Sequence, residues 1–405
     1  MHSNHSPAVP SLIRELNERS VLDTLRENGA LHAAEIARVI GLSKPTTSDI
    51  LRSLSENGLI QEYSPGADDS KRARSVYEAI SDVKVSLGID IGSRFIRAAV
   101  GDLNQVMRAQ VSVPVKSPAL DDLLKTMHKA VDHVLKESGY KIKDVAAIVV
   151  GTPGVIDQST GIVSIAGTIG TLDGVNLADI VEREFGLTPT LENDINLVTA
   201  AEQFAGHGRE VEDFAVLSVG SGLGSGLVLN GKLHRGHRGA AGEIFYIPFG
   251  DPLDTHRSAT NPSGDRIAEI TRGLAGKFKK SVLVEPFATE DILKAAKDGD
   301  ELAKAVVALE AERIALYVAS ISAVTDVELV ILSGGIGRQA GFFIDPIKKL
   351  VANIVPFPPR IEISTLGDTG ILVGALNIAT TQACDRVFNQ MHNSHGVARG
   401  LAGSM

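Results

Sequence analysis

Gly220-Ser-Gly-Leu-Gly-Ser-Gly226 is the stretch of this 405-residue chain that says most about its fold. Closely spaced glycines allow a backbone to approach a ligand and to present its N–H groups to a phosphate or a sugar. The stretch lies between two apolar segments of β type, Phe214–Val219 and Gly226–Asn230, which predict strands. A run of glycines can also be a tight turn without any ligand. The surrounding sequence is therefore needed to distinguish a ligand-binding loop from a structural turn.

A second glycine-rich turn, Gly88-Ile-Asp-Ile-Gly-Ser93, precedes the first by about 130 residues. The pattern around it predicts three strands, a helix and a strand: Val85–Ile91, Phe95–Asp102, Val106–Val115, Leu120–Lys136 and Val145–Val150. After the second turn, the pattern predicts a long helix, a strand and a closing helix: Ala303–Val324, Val327–Leu332 and Leu366–Thr381. Two halves that each open with strands and a glycine turn predict a duplicated α/β unit with a cleft between two lobes.

The first 80 residues have a different pattern. Apolar spacing and turn residues predict three helices and then two strands: 11–25, 33–40, 43–57, 59–63 and 75–79. Ser43 is placed to cap the third helix, and Pro45 is tolerated in its first turn. The two strands flank a polar tip, Pro65–Arg74. This order predicts a winged helix-turn-helix.

The third helix of that unit has an outer face that would lie in the major groove of DNA. Side chains on this face and at the wing tip are of the types that contact phosphates and base edges. The DNA-binding candidates are Ser43, Lys44, Thr46, Ser48 and Arg52 on the helix, and Lys71, Arg72 and Arg74 at the wing tip. A winged helix that makes only protein contacts is the alternative, but the cap, the helix lengths and the basic tip favour double-stranded DNA.

The composition limits the class of protein. The net charge is −9, and residues 1–80 contain nine Lys or Arg against eleven Asp or Glu, so DNA binding must depend on a local basic surface. The single cysteine, Cys384, excludes an intrachain disulfide and a cysteine zinc cluster and indicates a cytoplasmic protein. No apolar run approaches the ~18 residues of a membrane span, so no membrane partner is expected.

Several blocks of sequence, taken in order, resemble the repressor–ORF–kinase (ROK) family over roughly residues 84–380. They are Gly151-Thr-Pro-Gly-Val-Ile-Asp157, Glu192-Asn-Asp-Ile-Asn196, the glycine stretch continued through Gly231–Gly236 and Gly239-Ala-Ala-Gly-Glu243, and Ser333-Gly-Gly-Ile-Gly337. The resemblance implies an actin/hexokinase-type fold, with two ribonuclease-H-like lobes around a cleft. The helix-turn-helix in front is similar to that of the family's repressor branch and not to its free-standing sugar kinases.

The resemblance also implies which residues bind a ligand. Asp194 matches the catalytic base of the family's kinases, and Asn193 and Glu243 match residues that bind sugar hydroxyls. Gly154 and Tyr246 complete the ligand-binding candidates. A carboxylate beside an amide suits neighbouring hydroxyls, and a buried Asp can accept a proton during phosphoryl transfer. Asn193-Asp194 is also a typical helix N-cap, and the two roles are compatible.

Departures from the family's pattern argue against catalysis. The kinases carry Asp-x-Gly-Gly-Thr at the first phosphate turn, whereas Asp90-Ile-Gly-Ser-Arg94 places a guanidinium at the hydroxyl position. Tyr246 replaces a histidine that binds sugar and zinc, Asp251–Gly264 lacks the family's cysteines, and Thr168–Leu172 replaces an Asn-Leu-x-x-Trp sugar segment. No metal or cofactor is therefore expected, and Asp194 is interpreted as a vestigial base. The nearby histidines are interpreted as surface residues: His234, His237 and His256.

Three functions are compatible with these features: a sugar- or sugar-phosphate-responsive regulator, an ATP-dependent sugar kinase with an accessory domain, and a DNA-binding protein whose second region only dimerises. The regulator is the preferred hypothesis. The expected domains are residues 1–80, a first lobe at 82–200, a second lobe at 201–385 whose closing helix 366–381 could pack on the first lobe, and a flexible tail at 387–405. Two DNA half-sites require a two-fold symmetric protein, so a homodimer or homotetramer is expected.

Overall fold

The computed structural model describes residues 10–64, 75–249 and 261–402. Its N-terminal domain consists of α1 (Pro10–Asn28), β1 (Leu31–His32), α2 (Ala33–Ile40), α3 (Lys44–Glu56), β2 (Ile60–Tyr63) and β3 (Val76–Ala79). Strand β3 pairs antiparallel with both β1 and β2. The predicted winged helix-turn-helix is confirmed. The tip of the wing, with Lys71, Arg72 and Arg74, lies outside the described residues.

Helix α3 begins where the sequence predicts. Ser43 has an extended backbone, and its Oγ accepts a hydrogen bond from the Thr46 N–H, which has no partner within the helix. Pro45 occupies the first turn, where its missing N–H costs nothing. One face of α3 is buried against α1 and α2 through Thr47, Ile50, Leu51 and Leu54. The opposite face is thereby left in solvent.

The first lobe contains a five-stranded sheet. Its elements are β4 (Val85–Ile91), β5 (Phe95–Asp102), β6 (Met107–Pro114), α4 (Leu120–Ser138), β7 (Val145–Thr152), β8 (Val155–Ile156), β9 (Val163–Ser164), α5 (Leu177–Phe185), β10 (Thr190–Asn193) and α6 (Asp194–Ala205). The strand order is β10-β7-β4-β5-β6. Strands β4, β5 and β6 form an antiparallel meander, while β7 and β10 run parallel to β4.

The second lobe repeats this topology. Its elements are β11 (Phe214–Val219), β12 (Leu223–Leu229), β13 (Lys232–Leu233), α7 (Gly264–Ala275), α8 (Thr289–Lys297), α9 (Glu301–Thr325), β14 (Leu329–Ser333), α10 (Gly334–Gly337), α11 (Ile344–Ile354) and β15 (Arg360–Ile363). The order β13-β12-β11-β14-β15 again joins an antiparallel meander to two parallel strands. The predicted duplicated α/β fold is therefore confirmed.

The last helix, α12 (Gly370–Ala402), differs from the prediction. The sequence predicts a helix that ends at Thr381 and a flexible tail at 387–405, whereas α12 continues through residue 402. Val387 and Phe388 are buried beside residues of the helix-turn-helix core, and Asp385 pairs with Arg19 of α1. These tertiary contacts stabilise a polar helical segment that has little apolar periodicity of its own.

The glycine-rich stretch is also divided differently from the prediction. The turn is only Gly220–Gly222, closed by a 2.9 Å hydrogen bond from the Gly220 N–H to the Gly222 carbonyl, and β12 already begins at Leu223. A Cβ atom added at Gly226 would lie 2.0 Å from Thr199 Oγ1, and one at Gly224 would lie 2.9 Å from Ile195. The strand glycines therefore allow α6 to pack closely against β12.

Candidate effector cleft and nucleic-acid interface

The junction between β10 and α6 carries the central pair of the predicted ligand site. Asn193 caps α6: its Oδ1 accepts from the Ile195 and Asn196 N–H groups at 2.9 and 3.3 Å. Its Nδ2 donates to the Gly154 carbonyl at 2.8 Å. Gly154 has φ +102, and a Cβ there would lie 2.6 Å from the Ser164 carbonyl oxygen. The structure thus brings Gly154 and Asn193 together, and one N–H of the Asn193 amide is not used by these contacts.

Asp194 follows as the first residue of α6 and is half-buried. Burial, together with the nearby carboxylates of Asp90 and Glu243, raises its pKa to about 7, and the hydrogen bond from the Ile195 N–H partly opposes the shift. Asp90 comes from β4 and Glu243 from the segment after β13, so three carboxylates supplied by both lobes face one cleft. Like charges and partial desolvation favour the protonated form of such a group.

Asp90 itself has a cationic partner that the sequence did not reveal. It is 2% exposed, and its Oδ2 accepts a hydrogen bond from Arg97 Nη1 at 2.9 Å. Burial raises the pKa of Asp90, while the Arg97 guanidinium opposes that shift. Arg94, on which the sequence analysis relied, is exposed in the turn between β4 and β5. The arginine that contacts the cleft carboxylate is therefore Arg97.

An ion pair joins the two lobes beside the site. Glu192, buried at the end of β10, accepts from Arg235 Nε of the second lobe at 2.6 Å. Its other oxygen accepts from the Asn193 N–H and from Asn196 Nδ2. The loop that carries Arg235 also crosses to the first lobe at Gly239, where a Cβ would lie 2.7 Å from the Ile156 carbonyl oxygen. The sequence offered no signal for this pairing because the partners are 43 residues apart.

Glu243 is positioned by the glycine before it. Gly242 has φ +88, and a Cβ there would lie 1.9 Å from the Ser225 carbonyl oxygen, so only glycine allows this approach to β12. Glu243 is half-buried, and burial raises its pKa. Tyr246 lies three residues further on a single 3₁₀ turn, 48% exposed and edge-on to the Phe245 ring. The structure brings Glu243 to the carboxylate cluster, whereas Tyr246 lies at a more exposed position.

Among residues 10–64, 75–249 and 261–402, no group of three or more His, Cys, Asp or Glu side chains is arranged to hold a metal ion. His234 and His237 are exposed, and His256 lies outside the described segments.

The candidate nucleic-acid interface is the solvent-facing side of α3. Ser43, Lys44, Thr46, Ser48 and Arg52 are all exposed there. Ser43 and Thr46 bond each other through their hydroxyls at 2.8 Å, which leaves Lys44, Ser48 and Arg52 as the freer groups. The Arg52 side chain is 67% exposed and lies 3.4 Å from Asp49, a pairing weak enough for DNA phosphates to replace.

Helix α12 connects the cleft to the DNA-binding domain. Near its start it crosses α6 so closely that a Cβ at Gly374 would lie 1.9 Å from the Leu197 carbonyl oxygen. Further along, Ala383, Val387 and Phe388 belong to one continuous core with the buried residues of α1 and α3. The helix that carries Asp194 and the helix-turn-helix therefore both contact α12.

Residues 86–382 match the ROK family, and residues 14–61 match a winged helix-turn-helix DNA-binding family. The chain belongs to the ROK family. Its N-terminal domain makes it a DNA-binding transcriptional regulator of that family. None of the helices in the described part of this ROK protein is long and apolar enough to cross a membrane.

Individual relatives agree with this assignment. The ROK protein is 24% identical over 386 residues to the xylose repressor of Caldicellulosiruptor bescii, covering 90% of this chain and 96% of the repressor. A crystal structure of a ROK-family transcriptional regulator, a homologue of the Escherichia coli MLC protein, aligns with a TM-score of 0.77 at 19% identity over 94% of this chain and 98% of that one. A Streptomyces griseus ROK glucokinase, solved with glucose and AMPPNP, aligns with a TM-score of 0.62 at 24% identity, over 73% of this chain and 99% of that one.

Proposed function

We propose that this ROK protein is a transcriptional repressor that binds operator DNA through α3 and the wing and is switched by a sugar in the interlobe cleft. The observation that carries the proposal is the shared contact of α12. This helix packs at one end on α6, which begins at Asp194, and further along on the helix-turn-helix core. Its relatives include a xylose repressor, which supports a carbohydrate effector.

The effector site of the proposal consists of Gly154, Asn193, Asp194, Glu243 and Tyr246. Two carboxylates and an amide can accept from and donate to neighbouring hydroxyls, which a polyhydroxylated ligand supplies. Asp90 and Glu192 are already paired with arginines, so the acidic groups left to meet a ligand are Asp194 and Glu243, whose raised pKa values already show that further negative charge is unfavourable there. A dianionic phosphate ester would be repelled by these carboxylates, and we therefore favour an uncharged sugar over a sugar phosphate.

The switch in this proposal is closure of the two lobes. A ligand that contacts Asp194 in one lobe and Glu243 in the other binds the closed state more tightly, and only such a difference in affinity can shift the equilibrium. Closure displaces α6, and because α12 is packed tightly on α6 it moves with it and displaces the attached helix-turn-helix. In a homodimer or homotetramer this changes the spacing of two α3 helices, which must match half-sites about one DNA turn apart.

The oligomer has its own test. Sedimentation at micromolar concentration, with and without operator DNA, should give a dimer or a tetramer. A monomer under both conditions would contradict the half-site mechanism while leaving the effector cleft untouched.

A thermal-shift screen tests the effector site. Each aldose is tested beside its phosphate ester on the wild type, on Asp194→Asn and on a matched control, Asp326→Asn. Asp326 is exposed at the end of α9 with φ +51, a conformation that Asn tolerates. An effector at ~100 Kd should stabilise the wild type and the control by ~2.7 kcal/mol and Asp194→Asn much less. Equal stabilisation of all three proteins would place the ligand elsewhere.

An ATP-dependent sugar kinase is the second candidate, supported by the glucokinase likeness of the fold and by the retained Asp194. We propose that the protein has no kinase activity, because Asp90 is hydrogen-bonded to Arg97 and Arg94 occupies the first phosphate turn. A coupled assay of ATP hydrolysis across the same sugars should show no sugar-dependent turnover. Turnover with any sugar would restore the kinase hypothesis.

A further inference from the structure

Two acidic groups of the cleft, Asp90 and Asp194, lie close enough to interact electrostatically, and carboxylates are the groups with which proteins bind divalent cations. Mg²⁺ prefers carboxylate oxygens and is usually held by one or two of them together with substrate phosphates. Phosphoryl transfer from a nucleotide depends on such an ion to bridge the phosphates and offset their charge. Whether this cleft accepts a divalent ion therefore depends on what already contacts the two carboxylates.

Arg97 contacts one of them directly. It stands opposite Asp90 in the register of the antiparallel β4–β5 pair, so both side chains project from the same face of the sheet. The guanidinium donates to Asp90 Oδ2 at 2.9 Å, and Asp90 is otherwise sealed from solvent, at 2% exposed. Arg97 also lies 5.6 Å from the centre of the Phe95 ring, a cation–π distance that helps to hold it in place.

A guanidinium in this position conflicts with a metal ion. Arginine stays protonated throughout the accessible pH range, so its charge cannot be removed to make room for a second cation. A divalent ion at Asp90 could not bind Oδ2, because this oxygen accepts the hydrogen bond from Arg97. The guanidinium would also repel the ion at close range in a poorly solvated site. The residues present therefore do not fit a divalent ion at Asp90.

We propose that Arg97 is the resident cation of this cleft and takes the place of a divalent metal ion at Asp90. The cleft then carries a permanently neutralised Asp90, and ligand binding there is independent of Mg²⁺ and of nucleotide. Arg97 thus acts as a specificity-determining residue that removes metal–nucleotide chemistry while preserving the folded lobe. This inference concerns metal binding alone and stands whether or not the proposed sugar effector is found.

Mn²⁺ titration followed by electron paramagnetic resonance tests the inference on the full-length protein. The wild type should leave added Mn²⁺ free in solution. Arg97→Gln, which removes the cation and keeps much of the side-chain volume, should bind one Mn²⁺ at least about tenfold more tightly, competed by Mg²⁺. The matched control is Arg94→Gln, on the exposed turn three residues earlier, and it should behave as the wild type does.

Two further variants keep the result interpretable. Adding Asp90→Asn to Arg97→Gln should abolish the acquired Mn²⁺ site, and Arg97→Lys, which retains a positive charge, should bind no Mn²⁺. The inference is overturned if the wild type binds Mn²⁺ with an affinity that Asp90→Asn removes, or if a folded Arg97→Gln variant binds no more Mn²⁺ than the wild type. The Mn²⁺ measurement does not depend on the sugar, so a thermal-shift screen in which no sugar stabilises the protein would not change its interpretation.

Discussion

The carboxyl group of Asp194 stays protonated in the folded protein over a pH range in which it is ionised in the unfolded chain. Its pKa of about 7 lies above that of an unfolded aspartate, so between about pH 4 and pH 7 only the folded state binds this proton. The stabilisation is complete below pH 4 and is lost as the pH rises through 7. The free energy of unfolding of the wild type should therefore fall with pH relative to that of Asp194→Asn, by up to about 1.4 kcal/mol per unit.

Urea titrations of the wild type and Asp194→Asn at pH 5, 6, 7 and 8 measure this difference directly. Burial also raises the pKa of Asp90, Glu243 and Glu310, but these groups are common to both proteins. The gap between the two curves thus isolates Asp194 if the variant leaves its neighbours in place. Parallel curves across this range would mean that Asp194 titrates at an ordinary pKa.

Arg52 is the residue of α3 for which a DNA contact is most readily measured. Its side chain is 67% exposed, and Arg52→Ala should weaken operator binding and reduce the salt slope by about 1 without loss of stability. Arg183→Ala on α5, where the side chain is 68% exposed, removes an equal charge away from α3 and serves as the control. Identical affinities and slopes for both variants would show that α3 does not face the DNA.

At the scale of elements, the closest helix contact is the crossing of α6 and α12. Gly374→Ala adds a methyl group that would lie 1.9 Å from the Leu197 carbonyl oxygen. Alanine improves helix propensity by about 1 kcal/mol, but forced separation of packed helices costs about 1–3 kcal/mol, so a net loss of stability is expected. Gly273→Ala in α7 has open space around the added methyl group and should stabilise the protein.

Chemical denaturation measures the free energy of unfolding of the two alanine variants, and so distinguishes the gain in helix propensity from the steric effect of the added methyl group. If Gly374→Ala is as stable as Gly273→Ala, the two helices are free to move apart and the crossing is not a fixed contact. Because the proposed switch needs α6 and α12 to move as packed neighbours, that outcome would also weaken the link from cleft to DNA-binding domain.

The sequence predicted elements well where local patterns determine them. The cap at Ser43, the strands of the first meander and the long helix α9 lie within a few residues of their expected bounds. Strand β10 and helices α7, α8 and α11 were not predicted, and α12 was cut short at Thr381. Helices α7, α8 and α11 do have an apolar face at helical spacing, a local signal that the prediction did not use. Strand β10 and the end of α12 are set by tertiary contacts, the pairing of β10 with β7 and the burial of Phe388, that leave little local periodicity.

The site was predictable only in part for the same reason. Asn193, Asp194 and Glu243 could be named because short motifs carry them. The partners of the acidic residues could not: Arg235 reaches Glu192 across the cleft, and no spacing in the sequence indicates such a contact. The pairing of Arg97 with Asp90 could in principle be predicted, because a short turn joins β4 to β5 and places the two residues opposite each other. Such a prediction requires the correct hairpin register.

At the scale of the whole molecule, the ion pair between Glu192 and Arg235 is a direct contact between the two lobes. Arg235→Gln would leave Glu192, 2% exposed, without its cationic partner, and this should cost about 2–5 kcal/mol. Arg238→Gln, on the exposed side of the same loop, should change stability by less than about 0.5 kcal/mol. Calorimetry that finds the two variants equally stable would mean that the pair does not join the lobes.

The central claim is that one ligand in the cleft controls DNA binding through α12. The most direct measurement is fluorescence anisotropy of a selected operator duplex bound to the full-length protein, titrated with the sugar identified in the thermal-shift screen. The wild type and Asp326→Asn should release the duplex as the sugar is added, whereas Asp194→Asn should bind it with near-normal affinity and retain it throughout. Release of the duplex from Asp194→Asn at the wild-type sugar concentration would contradict the account.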